Sequence, residues 1–288
     1  MIPAFITKFP LFDSVHVLDA AGKTANDGHA YLLPYMRTLK SEHQNRIKLV
    51  TETHAVTLEP FESSISVQGT DQQIRDYVPA MLHNAILNDV TRRVLDMMAS
   101  AGEHYRRAAR GRWERFRAWL NPRYVKRHRV ASVYDMQNVL RRMLAAISKR
   151  EVKSNGRGCI VANSRTCVVI MELPDFSAET HRAGLDDSVR FVGSIMGMKV
   201  YVDPYMPWGD DRVIMYRSTP ETMDGLYVIL DSDVVTQVGA RHVMVGASDP
   251  VHARIKMMGK VVLVGRASQL DMPECEVAHL KMDICYLP

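Results

Sequence analysis

The sequence has few of the patterns from which catalytic, redox and membrane-spanning sites are built. No apolar run reaches the roughly 18 residues that a membrane-spanning helix needs. The apolar start, MIPAFITKFPLF, lacks the basic region and the long hydrophobic region of a secretory signal, so we expect no such signal. The four cysteines match no zinc or redox spacing, and a reduced cytosolic setting suits them as small buried hydrophobic side chains: Cys159, Cys167, Cys275 and Cys285.

The motifs of common enzyme classes are missing as well. GKT at 22–24 lacks the upstream glycine of a phosphate-binding loop, and Ser232 and Ser248 have no G-x-S-x-G setting. His242 and His252 lie in no metal-binding frame. Several aspartates lie around predicted turns, where this residue serves backbone geometry more often than metal binding: Asp203, Asp210, Asp211, Asp231 and Asp233. We therefore expect no enzyme activity, no metal and no cofactor.

Positive charge is concentrated in one segment of the chain. The 288 residues are long enough for one large domain or two moderate ones, and their net charge is +5. Residues 105–129 (YRRAARGRWERFRAWLNPRYVKRHR), here called the basic segment, hold ten Arg and Lys and one acid, Glu114. The basic segment thus carries +9, and against the total of +5 the remainder carries −4. Such asymmetry indicates an anionic partner, either nucleic acid or an acidic protein surface.

The first half of the chain predicts two helices and a hairpin. Apolar residues recur at steps of three and four over 76–99, which is typical of an amphipathic helix. A second helix over 132–152 begins at a capping box formed by Ser132 and Asp135, and NGRG ends it. The β-branched run 46–68 predicts a long hairpin, and one short helix is expected near 35–41.

Strands dominate from residue 159 onward. The strand-like stretches are CIVAN, TCVVIMEL, MKVYVDPY, RVIMYR, LYVIL, ARIKMMGKVVLVGR and VAHLKMDICYL. Helices first and strands afterwards predict an α+β architecture.

Five stretches, which occur in family order and cover roughly half the chain, together resemble the major capsid protein of T-even-like tailed bacteriophages. They are VRFVGSIMGMKVYVDPYMPWGDDRVIMYRSTPETMDGLYVILDSDVV, IKLVTETHAVTLEPFESSISVQ, YVPAMLHNAILNDVTRRVLDMMAS, ISKREVKSNGRGCIVANSRTCVVIME and IKMMGKVVLVGR, the fourth matching both a helix end and a strand. The chain departs from the family in being shorter, with no room for the extra domain near the hairpin. LYVILDSDVV also lacks the aromatic-proline ending of the family strand.

The resemblance implies the Hong Kong 97-type capsid fold. The predicted parts are an N-terminal arm (1–45), an extended hairpin loop (46–75), a peripheral domain (76–157), an axial domain (158–250) and C-terminal strands that return to the peripheral domain (251–288). The implied function is self-assembly, through hexamers and pentamers, into the icosahedral head shell of a tailed bacteriophage.

The implied partners are further copies of the chain, scaffold, portal, vertex and cement proteins, and packaged double-stranded DNA on the inner face, with no membrane. Assembly in the host cytoplasm and a final location in the virion follow from the same resemblance. Two alternatives stay within the structural class: a pentameric vertex paralogue and an encapsulin-like shell protein. A third belongs to another class, a nucleic-acid-binding protein that acts through the basic segment.

Three interpretations of the basic segment stay open. It could face DNA, where Lys and Arg neutralise phosphates between aromatic residues; it could contact acidic residues of neighbouring subunits; or it could be a solvated helix. The resemblance favours subunit contacts, because the family has them just after its long helix. The candidate contact residues are Arg106, Arg107, Arg110, Arg112 and Arg115, with Glu52, Glu59 and Glu62 of the hairpin as acidic partners, although a solvated face explains these glutamates equally well.

Overall fold

The computed structural model describes fifteen segments of the chain. They are residues 11, 14–19, 30–40, 47–57, 59–69, 71–108, 111–121, 125–150, 158–179, 189–206, 211–217, 226–230, 235–241, 251–264 and 274–284. The elements, in chain order, are β1 (His16–Asp19), β2 (Ala30–Lys40), β3 (Ile47–Thr57), β4 (Glu59–Gly69), α1 (Asp71–Ala108), α2 (Arg112–Leu120), β5 (Arg127–Val130), α3 (Val133–Ser148), β6 (Gly158–Ala162), α4 (Ser164–Met171), β7 (Ser177–Ala178), β8 (Arg190–Ile195), β9 (Met198–Val202), β10 (Arg212–Arg217), β11 (Tyr227–Leu230), β12 (Val235–Arg241), β13 (Val251–Val264) and β14 (Cys275–Met282).

The chain divides into two compact units. Unit 1 comprises 1–12, 17–92 and 227–263, and unit 2 comprises 13–16, 93–226 and 264–288. Both helices and sheets are present, so the mixed class predicted from the sequence is confirmed. The boundaries of the two units differ from those of the predicted peripheral and axial domains, whose assignment stays a prediction.

Unit 1 contains three long antiparallel strand pairs, β4 with β13, β12 with β13 and β2 with β3. In its five-stranded sheet, β13 pairs with β11, β12 and β4, and β1 pairs with β11. The pairing of β13 with β4 is continuous from Val251 opposite Gly69 to Val261 opposite Glu59. A separate two-stranded sheet consists of β2 and β3, which pair over eleven residues each, from Ala30 opposite Thr57 to Lys40 opposite Ile47.

Unit 2 contains a seven-stranded mixed sheet. Its order is β5-β14-β10-β6-β9-β8-β7, with parallel pairs between β5 and β14 and between β6 and β9. All five residues of β6 are buried, which fits a central strand covered on both faces of the sheet. The continuous hydrophobic run CIVA, without polar alternation, is the sequence signal for that position.

Helices cover both faces of the sheet in unit 2. On one face, α3 and α4 enclose the main core, whose members include Met136, Leu140, Ile160 and Met215. On the other face, the end of α1 approaches β14 so closely that a Cβ atom added at Gly102 would lie 2.6 Å from Val277 Cγ2. Glycine at this position is therefore required by helix-to-sheet contact, since a side chain would overlap the strand.

Local signals in the sequence account for the ends of several elements. The Ser132 side chain accepts a hydrogen bond from Asp135 N (3.2 Å), and Asp135 Oδ2 accepts one from Ala131 N (3.0 Å), so the predicted capping box begins α3. Between β8 and β9, Met196 and Gly197 both have positive φ (52° and 74°). Two such residues form the tight turn that suits the twist of a two-residue hairpin.

The prediction of a strand at TCVVIMEL is wrong, because most of this stretch is helical. It forms α4, which begins at the N-cap Asn163, whose side chain accepts a hydrogen bond from Thr166 N at 2.8 Å. Thr166, Cys167, Val169 and Ile170 are buried, so packing of one helix face into the core outweighs the strand preference of the β-branched residues.

The pairing of the N-terminal strands also differs from the prediction. The prediction of a short helix near 35–41 is wrong, because residues 35–40 lie in β2. Within 46–68, β3 and β4 do not pair with each other; β3 pairs with β2, and β4 pairs with β13. Pro60 lies near the start of β4.

The first helix is longer than its periodic pattern predicts. Instead of ending near residue 99, α1 continues to Ala108 and takes in the start of the basic segment. The described remainder of that segment contributes α2 and most of β5. Across the described residues, we find no helix that is long and apolar enough to cross a membrane.

Candidate interaction surface

Helix α2 carries more exposed large hydrophobic side chains than any other element of the described part of the chain. The helix has no buried residue, and its N-cap, Gly111, makes no side-chain capping bond. Four large apolar side chains are exposed: Trp113 by 65%, Phe116 by 46%, Trp119 by 75% and Leu120 by 62%. We call these four residues the aromatic stripe. Because α2 buries no residue and has no side-chain cap, core packing and N-capping do not stabilise it. Its apolar side chains are therefore available to a partner.

The aromatic side chains of α2 stack on one another. Ring centroids lie 5.7 Å apart for Trp113 and Phe116 and 6.0 Å apart for Phe116 and Trp119, and both pairs are close to parallel. The spacing of three residues brings successive rings onto one side of the helix. The Arg117 guanidinium lies 5.6 Å from the centroid of Trp113, within the range of a cation–π contact. The result is a continuous aromatic surface bordered by arginines.

Ion pairs and carbonyl contacts hold α2 near the body of unit 2. Lys126 Nζ donates to Glu114 Oε1 at 2.6 Å. The main chain at Lys126 is fixed in turn, because Arg106 Nη2 donates to its carbonyl oxygen at 2.5 Å. Arg106 Nη1 donates to Val277 O in β14 at 3.2 Å. Arg106 and Glu114 therefore act inside the chain, as links between α1, α2 and the sheet.

The Arg150 side chain makes a second link of this kind. Its guanidinium donates to Cys275 O and to Glu276 Oε2, and lies 4.7 Å from the centroid of the Tyr105 ring. Burial raises the pKa of Glu276, and the charge of Arg150 acts against that rise. Nothing in the sequence marks Arg150, because its hydrogen-bond partners in β14 lie 125 and 126 residues away and its ring contact, Tyr105, lies in a different helix.

His128 lies within the same positively charged region. Its pKa is lowered to about 4, first by partial burial and then by the charges of Arg106, Lys126 and Arg142, with Glu114 acting in the opposite direction. The imidazole is therefore neutral at physiological pH, and the positive charge of the region comes from arginine and lysine.

The predicted contact residues lie in different settings. Arg112 and Arg115 are exposed on α2, whereas Arg106 is half-buried and bonded to carbonyl oxygens. The Arg107 side chain and the whole of Arg110 lie outside the described residues.

The glutamates proposed as partners are described only by their backbone pairing. Glu52 lies opposite Tyr35 in the two-stranded sheet. Glu59 and Glu62 lie opposite Val261 and Met258 in the five-stranded sheet. Their side chains are outside the described part, so their role as acidic partners stays a prediction.

The described cysteines are buried, and Asp203 stabilises a turn. Cys159, Cys167 and Cys275 are buried, and burial raises the pKa of Cys159 and of Cys167 to about 12. Cys285 lies outside the described residues. Asp203 Oδ1 accepts a hydrogen bond from Tyr205 N at 2.9 Å, which is the turn geometry expected of aspartate. No cluster of His, Cys, Asp and Glu suited to a metal ion occurs among the residues that the structure describes.

Comparison with known proteins gives structural likenesses at low identity. No protein-family model matches the sequence, and no curated protein shows significant similarity to it. The chain is similar to the virus-like particle from Pyrococcus furiosus, with 12% identity, 95% of this chain and 92% of that chain covered, and a TM-score of 0.44. It is similar to the mature capsid of bacteriophage PhiM1, with 10% identity, 96% and 87% covered, and a TM-score of 0.49. It is also similar to the holo-SrpI encapsulin complex from Synechococcus elongatus PCC 7942, with 8% identity, 96% and 87% covered, and a TM-score of 0.42. Likenesses of this size do not by themselves define a family.

Proposed function

We propose that the chain is a capsid-shell subunit with the Hong Kong 97-type fold, and specifically the major capsid protein of a tailed, T-even-like bacteriophage. The support is the sequence resemblance over five stretches in family order, together with the order of the parts: a long hairpin, a long helix and then a mixed sheet. In this proposal the protein is a structural subunit that binds copies of itself and catalyses no reaction.

The hairpin of β2 and β3 is the observation that carries the proposal. Its two strands form a sheet of their own and pair with no other described strand. A two-stranded hairpin is marginally stable when isolated in water, because it has no hydrophobic layer beneath it. Eleven residues per strand at about 3.4 Å each give a hairpin of roughly 37 Å. A hairpin of this length is suited to lie on a neighbouring subunit, whose surface would supply apolar contacts to it.

Assembly is the direct test of this proposal. Negative-stain microscopy and light scattering of the purified chain should show closed shells, tubes or capsomer rings. Ring and shell geometry would also separate a major capsid protein from a pentameric vertex paralogue and from an encapsulin-like shell. A monomer that persists across salt and protein concentration would contradict the proposal.

A shortened hairpin provides a matched variant. Residues 34–53 would be replaced by an Asn-Gly turn, which joins the paired positions Leu33 and His54. We expect a folded chain, judged by circular dichroism, that no longer forms closed particles. Normal particles from this variant would show that the hairpin is not needed for assembly.

A nucleic-acid-binding function is the second candidate, favoured by the exposed arginines and aromatic side chains of α2. It predicts that the chain binds DNA as a monomer, with an affinity that falls steeply as salt rises because counterions are released. In the capsid proposal, contact with packaged DNA would occur on the inner face of the shell, and scaffold, portal, vertex and cement proteins would be further partners. The virion, assembled in the host cytoplasm, would be the location.

A further inference from the structure

The aromatic stripe lies on one side of a short helix that has no buried residue, with arginines beside it. From the exposed fractions given above and the 150–250 Å² of each aromatic side chain, the three rings alone expose on the order of 400 Å². A contiguous apolar patch of this size marks an interaction site more often than a plain surface. Tryptophan and arginine are also the residues most enriched in the energetically important centres of protein interfaces.

The stacking within the stripe argues for a protein partner over single-stranded nucleic acid. Platforms for unpaired bases need aromatic faces that are open to stacking. In α2 each ring stacks on a neighbouring ring and Arg117 lies over Trp113, at 5.6–6.0 Å between centres, so fewer ring faces are open to a base than on an unstacked platform. What remains exposed includes ring edges and the Leu120 side chain, which suit apolar side chains of another protein.

A complementary surface lies on the outer face of α4. Val168 and Met171 are each 43% exposed, although α4 buries four other residues in the core. Positions 168, 171 and 172 are three and four residues apart, so Glu172 shares their face. Asp175 follows and is held by Gln137 Nε2 of α3 at 3.2 Å, a neutral partner that leaves its negative charge in place. We call Val168, Met171, Glu172 and Asp175 the α4 patch.

We propose that the aromatic stripe of one copy docks onto the α4 patch of a neighbouring copy. This inference rests on the proposed function, because it assigns one of the contacts between shell subunits. Apolar side chains would meet at the centre, while Arg112 and Arg115 would face Glu172 and Asp175 at the rim. The chain supplies both partners: a basic segment of +9 and a remainder of −4.

Docking of α2 on a second α2 is disfavoured by charge. It would bring Arg112, Arg115 and Arg117 of two copies together, and like charges across an interface oppose binding. Contact between two different surfaces is head-to-tail, and head-to-tail contacts generate rings when the rotation closes. The stripe covers less than the roughly 800 Å² per partner of a standard interface, so it would act with the other contacts of a shell.

Two charge-reversed variants test this contact. Variant X carries Arg112→Glu and Arg115→Glu; variant Y carries Glu172→Arg and Asp175→Arg. Arg112 is the first residue of α2, where a glutamate is favoured by the helix dipole, and Glu172 is the C-cap of α4, where an arginine is favoured. The fold should therefore persist in both variants. Circular dichroism and thermal unfolding of each variant check this directly. A matched control, Arg141→Glu with Lys281→Glu, reverses two exposed charges elsewhere in unit 2, neither of them at a helix end.

The expected result is loss in each variant and recovery in the mixture. X alone and Y alone place like charges at every contact and should associate at least about tenfold more weakly than the unaltered chain in sedimentation velocity. A 1:1 mixture restores opposite charges at both kinds of X–Y contact, so association should return. The control should associate like the unaltered chain.

Other outcomes overturn the inference. Normal association of X and of Y, or a mixture no better than either variant alone, rules the contact out. If X loses DNA binding and the mixture of X and Y does not regain self-association, α2 is assigned to nucleic acid instead. Sedimentation detects small oligomers, so it tests the contact separately from the capsid function. Oligomers that are lost in X and in Y, return in the mixture and never close into shells would support the contact and contradict the capsid function. Shells that form from X alone and from Y alone would support the capsid function and contradict this contact. An unaltered chain that stays monomeric at all concentrations would contradict both the contact and the capsid function.

Discussion

Replacement of Gly102 by alanine should destabilise unit 2, although the same change stabilises most helices. Gly102 lies within α1, and a Cβ atom there would be 2.6 Å from Val277 Cγ2, 2.9 Å from Val277 N and 3.0 Å from the carbonyl carbon of Glu276. Two of these three atoms belong to the backbone of β14. That strand is held by its pairing with β10, where Val277 lies opposite Ile214, and by the bond from Arg106 to Val277 O.

The two opposing free energies can be compared. An interior glycine-to-alanine change improves helix propensity by about 1 kcal/mol. Carbon atoms normally rest about 3.5–4.0 Å apart, so the new methyl group forces β14 or α1 to move by several tenths of an ångström. Overpacking of this kind costs about 1–3 kcal/mol, and a rigid backbone neighbour favours the upper part of that range. We therefore expect a net loss of about 1–2 kcal/mol in the free energy of unfolding.

Urea unfolding followed by circular dichroism measures this loss. With a denaturant slope of about 3 kcal/mol/M, a loss of 1.5 kcal/mol lowers the midpoint by about 0.5 M. Gly111→Ala is the control for steric overlap, since a Cβ atom there meets nothing within 4 Å. Alanine is a poorer N-cap than glycine, so any loss should be confined to the exposed helix α2, and the midpoint should fall by less than that of Gly102→Ala. A midpoint for Gly102→Ala that equals or exceeds that of the unaltered chain would refute the close approach of α1 and β14.

Three further predictions follow from capping, burial and charge. Ser132→Ala removes the N-cap bond of α3 and should lower the free energy of unfolding by about 1 kcal/mol in the same urea assay; an unchanged midpoint would contradict that role. His128, with a pKa lowered to about 4, should remain neutral at pH 5.5 in an NMR titration, whereas a midpoint above 6 would contradict its burial among positive charges. Because the folded state disfavours the protonated form, its contribution to stability is complete above pH 6.5 and declines as the pH falls toward 4. Cys159 and Cys167, with pKa values raised to about 12, should not react with a disulfide reagent at pH 8 until the chain unfolds, as mapped by mass spectrometry; modification in the native state would show that these thiols are accessible.

Local patterns succeeded where neighbouring residues decide the conformation. The capping box at Ser132 predicted the start of α3, and the tract MKVYV predicted β9, because hydrogen bonds and side-chain alternation within a few residues determine these elements. The same reasoning misjudged TCVVIMEL, whose β-branched residues favour a strand. There the Asn163 cap and the burial of one helix face prevailed, and burial depends on the rest of the fold.

The candidate surface was only partly visible in the sequence. Composition alone identified the basic segment, and it named Arg112 and Arg115, which the structure places on the exposed side of α2. It named Arg106 as well, but that side chain bonds to carbonyl oxygens of Lys126 and Val277 within unit 2. Charge counts do not tell an arginine that faces solvent from one that is used internally.

The sequence by itself determined the mixed class, the charge asymmetry and most of the strands, because composition and short-range periodicity are properties of the chain alone. Tertiary structure decided which strands pair, as in the union of β2 with β3 and of β4 with β13. It also decided that Gly102 serves a contact with β14 and that Val168 and Met171 remain exposed on α4. The physical reason is that pairing and burial are set by contacts between residues far apart in the chain, and these contacts exist only once the elements have packed.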